Sequence, residues 1–144
     1  MTTGYSTTQH ITIAAPTERV WAALVTPDIV KQYMFGAEVV STWQVGSPIV
    51  YRGLWEGKPF EDKGTILECA PGRRLRSTYF SALSGLEDRP EYYNTVTYDL
   101  TTDGAGRTTL SVTQDNNPSQ EVADAMGNNW AATLVQIKQL LEAA

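Results

Sequence analysis

Side chains that commonly bind metals or act as nucleophiles are scarce in this 144-residue sequence. It contains one histidine, His10, and one cysteine, Cys69, which excludes a multi-histidine metal centre. His10 alternates with Ile11 and Ile13 in a strand pattern, which predicts an exposed histidine rather than a catalytic base. Cys69 is interpreted as a small core residue. No phosphate-binding loop or dinucleotide fingerprint occurs, so no metal and no cofactor are expected.

Acidic side chains occur in two groups, neither of which resembles a catalytic pair. The groups are Glu56, Glu61 and Asp62 beside a predicted hairpin, and Glu87, Asp88 and Glu91 in a polar loop. A catalytic pair of carboxylates needs burial or a close like charge to separate its two pKa values. Positions beside turns predict solvated charges instead. No catalytic residue is therefore identified.

Aromatic and amide side chains indicate a binding site more strongly. Period-two alternation places six of them on apolar strand faces: Tyr51, Trp55, Tyr79, Asn94, Tyr98 and Gln114. Met126 and Trp130 would face the same space from the last helix, with Tyr33 and Phe35 at its mouth. A large apolar pocket with a few amides and phenols is typical of a small-molecule site. These ten residues are the candidate lining of a ligand cavity.

The amides Asn94 and Gln114 leave two alternatives open. A buried amide without a hydrogen-bond partner costs about 1–3 kcal/mol. Each amide must therefore bond another protein group near a strand end, or contact a ligand in the cavity.

The spacing of apolar residues, either every second residue or every three to four, predicts the strands and helices that position these residues. Period-two alternation predicts strands over 7–14, 37–42, 49–55, 60–69, 74–81, 92–101 and 108–115. Either alternation fits residues 60–69, so the direction of those side chains stays open. Helical spacing predicts two short helices after the first strand, one following Pro16 and one over 28–33.

The last segment has the strongest periodic signal. Its apolar stripe consists of Val122, Met126, Trp130, Leu134, Ile137 and Leu141. Asn117 is expected to cap this helix, with Pro118 at its first position. A stripe of about five turns needs a large apolar surface, and the sheet is the available one. The sequence therefore predicts a single α+β domain over 1–144, in which a curled antiparallel sheet of six to seven strands wraps a long C-terminal helix.

The composition indicates which classes of partner and which cellular location are expected. The formal net charge is -5, and no run of Lys and Arg interrupts it. A nucleic-acid partner would need a basic face, and an anionic membrane surface would repel this protein, so neither partner is expected. The N-terminus has no apolar segment of a signal peptide, and a lone thiol fits a reducing compartment. These features predict a cytoplasmic protein.

The order of elements, together with short motifs, resembles the START-like (SRPBCC, helix-grip) superfamily. More narrowly it resembles the branch named after the C-terminal domain of the activator of heat-shock protein 90 ATPase. The matching pieces are APTERVW at 15–21, TPD at 26–28, GTILE at 64–68, PGRRL at 71–75 and Asn129-Trp130 before Leu134. Tyr33 departs from the pattern, since many relatives have Trp there, and Ser47 replaces a second Gly.

The resemblance implies a fold with a ligand-sized cavity, but no catalytic residues belong to the branch as a whole. Relatives include lipid carriers, polyketide cyclases and chaperone regulators. The first hypothesis is a non-enzymatic binder of a small hydrophobic or amphipathic molecule. A chaperone-regulator-like interaction protein and a polyketide cyclase-like enzyme are the alternatives. A chaperone partner and a homodimer stay open.

Overall fold

The fold is α+β, as the sequence predicts, with seven strands and three α-helices in the part of the chain described. In the computed structural model, the described residues are 4–34, 36–81 and 85–143, without the side chain of Trp55. The elements are β1 (Tyr5–Ile13), α1 (Thr17–Val25), α2 (Pro27–Tyr33), β2 (Glu38–Ser41), β3 (Pro48–Trp55), β4 (Lys58–Ala70), β5 (Arg74–Tyr79), a 3-10 turn (Pro90–Tyr92), β6 (Asn94–Thr102), β7 (Thr108–Asn117) and α3 (Gln120–Glu142).

The strands form one curled antiparallel sheet in the order β1-β7-β6-β5-β4-β3-β2. Strands β2 to β7 follow one another as a meander, and β1 joins the far edge by pairing with β7. The tightest connection joins β3 to β4, where Trp55 pairs with Lys58. Glu56 and Gly57 both have positive φ, at 52° and 79°. That combination belongs to the two-residue turn whose twist matches the flanking strands.

The core lies between the inner face of the sheet and the helices. Its least exposed large side chains include Ile13, Ile66, Leu110, Leu134 and Ile137, each at most 2 % exposed. The strand facings predicted for β6 and β7 are confirmed, since the buried side chains alternate along both strands. No helix of the described residues is long and apolar enough to cross a lipid bilayer.

The predicted apolar stripe of α3 is confirmed in the second half of the helix, where Leu134, Ile137 and Leu141 are buried, but not in the first half. Over its first half the buried residues are Ala123 and Gly127, and Met126 and Trp130 are only half-buried. A Cβ at Gly127 would lie 2.5 Å from the Thr7 Oγ1 atom. These small residues let α3 pack closely against β1 and β7. Its larger residues are thereby left facing the middle of the sheet.

The predicted N-cap of α3 is wrong. Helix α3 begins at Gln120, and the side chain of Ser119 accepts a hydrogen bond from the Val122 amide, 3.1 Å away. Asn117 is instead the last residue of β7 and is 1 % exposed. Both Ser and Asn satisfy free amides at helix ends, so local sequence does not distinguish them. Asn117 has buried partners elsewhere that decide its position.

Candidate functional site

A cavity of about 180 Å³ lies between the inner face of the sheet and α3. Helix α3 lines it with Met126, Asn129, Trp130 and Thr133. The sheet lines it from β3 to β7, and Met34 and Ala37 contribute from the segment after α2. The cavity exists where it does because α3 packs toward β1 and β7, away from the middle strands.

Aromatic rings form much of the cavity wall. Tyr51 of β3, Tyr79 of β5 and Tyr98 of β6 line it, and Trp130 faces them from α3. The rings of Tyr98 and Trp130 meet edge to face, with centroids 5.8 Å apart and an interplanar angle of 86°. This geometry is a favoured one for aromatic pairs and holds both rings in place.

Gln114 lines the cavity with its amide already bonded to protein groups. Its Oε1 accepts a hydrogen bond from Trp130 Nε1 at 2.9 Å, and its Nε2 donates to Asn117 Oδ1 at 2.8 Å. Asn117 Nδ2 in turn donates to the backbone carbonyl of Tyr5 at 2.9 Å. This chain of hydrogen bonds connects α3, β7 and β1 and orients the Trp130 ring.

Asn94 lies at the start of β6 and is not among the residues that line the cavity. Its Nδ2 donates to the Asp115 carbonyl at 2.8 Å, with longer contacts to Asn116 and Asn117. Both predicted amides thus take protein partners near a strand end, which was one of the two alternatives. That leaves the Asn94 side chain with a structural role in joining β6 to the end of β7.

Tyr33 and Phe35, predicted at the cavity mouth, and Trp55, predicted on its β-strand wall, are placed differently from one another. Tyr33 is 3 % exposed, and its hydroxyl donates to the Ala23 carbonyl at 2.7 Å, so it joins α2 to α1 instead of lining the cavity. Its neighbour Met34 is a lining residue. Phe35 lies outside the described residues. Trp55 ends β3 beside the hairpin turn, and its side chain is not described.

Asp62 is the functional candidate that the sequence interpretation missed. It was predicted to be a solvated charge beside the hairpin, and this prediction is wrong. Asp62 lines the cavity and is 9 % exposed. Its Oδ2 accepts a hydrogen bond from the Tyr79 hydroxyl at 2.7 Å. Its Oδ1 is buried and has no hydrogen-bond partner among the described residues.

The error arose because the strand facing of 60–69 was left open. In the structure Phe60, Asp62, Gly64 and Ile66 lie on the inner face of β4, and the alternating residues Glu61, Lys63 and Thr65 are exposed. The signal was present, since the alternating positions Glu61, Lys63 and Thr65 are all polar. A half-buried strand directs its wholly polar face to solvent. Glu61 accordingly pairs with Arg52 on the outer face, at 2.9 Å.

Burial and the Asp62 charge together hold the cavity phenols in their neutral form. Removal from water is the main cause that raises the pKa of Tyr51 and of Tyr79 well above the usual range, and the nearby Asp62 carboxylate raises both further. Burial also raises the pKa of Tyr98. These hydroxyls are therefore hydrogen-bond donors at any physiological pH.

The histidine and the cysteine of this chain are not among the residues that line the cavity. His10 is exposed on β1, as predicted. Cys69 packs half-buried against the core, and burial raises the pKa of its thiol, so it is a weak nucleophile. Within the described ranges, no three His, Cys, Asp or Glu side chains cluster closely enough to hold a metal ion.

Comparison with solved structures shows the same fold over the whole chain. A protein of Cytophaga hutchinsonii, solved in solution, is 43 % identical, with 99 % of this chain and 97 % of that chain covered and a TM-score of 0.85. The Aha1 dimer of Colwellia psychrerythraea is 20 % identical, with 96 % of each chain covered and a TM-score of 0.74. An HSP90 activator of Plasmodium falciparum is 16 % identical, with 97 % of each chain covered and a TM-score of 0.75.

The family assignment comes from the sequence model that matches. No curated protein matches the chain. The model described as "Activator of Hsp90 ATPase homolog 1-like protein" matches residues 14–142, which span α1 to α3 and all strands except β1. The chain therefore belongs to the Activator of Hsp90 ATPase homolog 1-like family.

Proposed function

We propose that this protein binds a small hydrophobic or amphipathic molecule in the cavity between the sheet and α3. The observation that supports this is the aromatic wall formed by Tyr51, Tyr79, Tyr98 and Trp130 around about 180 Å³ of space. An engineered apolar cavity of about 150 Å³ holds a benzene molecule, so this space suits a ligand with one ring and a short substituent. A cytoplasmic location is part of the proposal and is supported by the lone cysteine.

The aromatic walls and the polar groups would have different roles in binding. Transfer of apolar ligand surface from water contributes about 25 cal/mol per Å². The Gln114 amide is satisfied by Trp130 and Asn117, so it fixes the wall rather than the ligand. The Tyr79–Asp62 pair is a polar feature of the wall with a buried acceptor, Asp62 Oδ1, that has no partner among the described residues.

A cavity-filling substitution tests this proposal. Ser77 lines the cavity from β5, so Ser77→Leu would fill part of it. Benzyl alcohol should bind the native protein with a Kd of about 1 mM, near -4 kcal/mol. Ser77→Leu should weaken that binding about tenfold or more, measured by chemical-shift titration in NMR.

The matched control is Ser111→Leu. Ser111 lies on β7 between the buried residues Leu110 and Val112, so its side chain is on the outer face of the sheet. Binding by this variant should equal that of the native protein. The proposal would be overturned if native protein showed no titration and native mass spectrometry found no small molecule retained through purification.

A second candidate is an interaction with an Hsp90-type chaperone, and the family match favours it. If the chain acts in this way, it should co-precipitate with a purified Hsp90 and raise the ATPase rate of the chaperone several-fold. The cavity variant Ser77→Leu should leave that effect unchanged, because the contact would use the outer surface. An unchanged ATPase rate together with no co-precipitation would remove this candidate.

A further inference from the structure

Asp62 is a buried carboxylate whose charge has no counterpart in the cavity. No Lys, Arg or His is among the residues that line the described cavity. The β3–β4 hairpin has two basic residues near Asp62, and both form ion pairs with other carboxylates. Lys63 pairs with Asp88, and Arg52 pairs with Glu61. Both pairs are half exposed to solvent. A charged group that is removed from water is costly unless it is paired and hydrogen-bonded.

The protein satisfies only half of the Asp62 carboxylate. The Tyr79 hydroxyl bonds Oδ2 at 2.7 Å, and Oδ1 has no partner among the described residues. Buried polar atoms in folded proteins nearly always have partners, so an exception is explained by strain, by a functional role, or by a water, ion or ligand in the adjoining space. An acceptor in a cavity wall requires a donor from whatever occupies the cavity.

The rings around Asp62 favour a cation as that donor. Tyr51 and Tyr79 border the carboxylate closely enough for its charge to raise the pKa of each phenol. Tyr98 and Trp130 complete the wall. Aromatic faces attract ammonium groups through the ring quadrupole, and this attraction strengthens when the cation is desolvated. A carboxylate and several rings in one small cavity combine the two features that recognise an organic ammonium ion.

We propose that the cavity binds a small organic amine as its ammonium ion, with the N–H group donating to Asp62 Oδ1 and the apolar body lying against Trp130 and Tyr98. This proposal rests on the proposed function, since it names the chemical class of the same cavity ligand. A neutral hydroxyl donor to Asp62 is the competing chemistry. The two differ in whether a positive charge improves binding.

The test compares benzylamine with benzyl alcohol, which has the same ring and length without the charge. Both are titrated into native protein, Asp62→Asn and Glu61→Gln at one ionic strength, with NMR shifts of the cavity residues as the readout. Native protein should prefer benzylamine about ten- to hundredfold, which is the range for a hydrogen bond to a charged group. Asp62→Asn should abolish that preference, and benzyl alcohol should bind it about as tightly as native protein.

Glu61→Gln is the matched control, because it removes the same charge one residue away on the outer face. It should keep the preference for benzylamine, which excludes general attraction to a protein of net charge -5. Tyr79→Phe provides a second variant that keeps the carboxylate and releases Oδ2, and it too should keep the preference.

The outcomes separate the two proposals. Equal binding of benzylamine and benzyl alcohol to native protein would overturn the ammonium assignment and leave cavity binding standing. A preference that survives in Asp62→Asn, or is lost in Glu61→Gln, would also overturn it. If neither compound binds native protein, the ammonium assignment fails, and the cavity function fails with it when native mass spectrometry also finds no small molecule retained through purification.

Discussion

Raising the pH above 10 should unfold this protein steeply, because the folded chain raises the pKa of four of its seven tyrosines, which therefore ionise at lower pH in the unfolded chain. The four are Tyr33, Tyr51, Tyr79 and Tyr98. Burial is the main cause that raises the pKa of each. Below the ordinary tyrosine pKa of about 10 both states keep these protons, so the full free energy of unfolding is present. Above it the unfolded state loses protons that the folded state retains, and stability falls.

The free energy of unfolding should fall steeply as the pH rises. Each group lowers the free energy of unfolding by about 1.4 kcal/mol per pH unit, which makes about 5.5 kcal/mol per unit for four groups. Since domains are stable by about 5–15 kcal/mol, unfolding is expected within roughly three pH units above 10. Tyrosinate absorbance and circular dichroism, followed on the same samples, should show most of the ionisation coinciding with the loss of structure.

Two substitutions test the assignment to buried phenols. Tyr98→Phe should make the free energy of unfolding fall less steeply with pH, because about one fewer proton is released on unfolding. Tyr5 is 48 % exposed, so Tyr5→Phe should leave the slope unchanged. Ionisation of all seven tyrosines near pH 10 with the fold intact would contradict this prediction.

Replacing Gly64 by Ala should destabilise the fold by about 3 kcal/mol, the upper range for overpacking. Gly64 of β4 lies beside Thr78 of β5, and a Cβ there would be 1.8 Å from the Thr78 carbonyl oxygen. The obstacle is backbone, so no side-chain rotation relieves it. The hydrogen bond between Tyr79 and Asp62 lies next to this contact in both strands. Urea denaturation gives the free energy of unfolding directly.

Gly72→Ala is the matched control. Gly72 has φ of +77°, and a Cβ there would meet nothing within 4 Å. Its cost is the left-handed backbone strain of about 1–2 kcal/mol. Equal losses for the two variants would show that the β4–β5 contact is not the rigid one inferred from its geometry.

The sequence by itself determined the elements and their order. Strand alternation, turn residues and the spacing of apolar residues in α3 are local properties, because each depends on neighbours within a few positions. They placed Tyr51, Tyr79, Tyr98 and Gln114 on the inner face, where the structure has them lining the cavity. Two short motifs, at 15–21 and 64–68, lie within the region that the family model matches.

The tertiary structure decided which side chains meet. The direction of the β4 side chains was ambiguous in the sequence, which predicted a solvated Asp62. In the structure Asp62 faces inward and is the buried carboxylate of the cavity. Asn117 became a buried partner of Gln114 and Tyr5, although its type and position equally suit a helix cap. The small residues Ala123 and Gly127 drew α3 toward β1, leaving space beside Trp130. The partners in each case lie far apart in the chain, so only packing in three dimensions could select them.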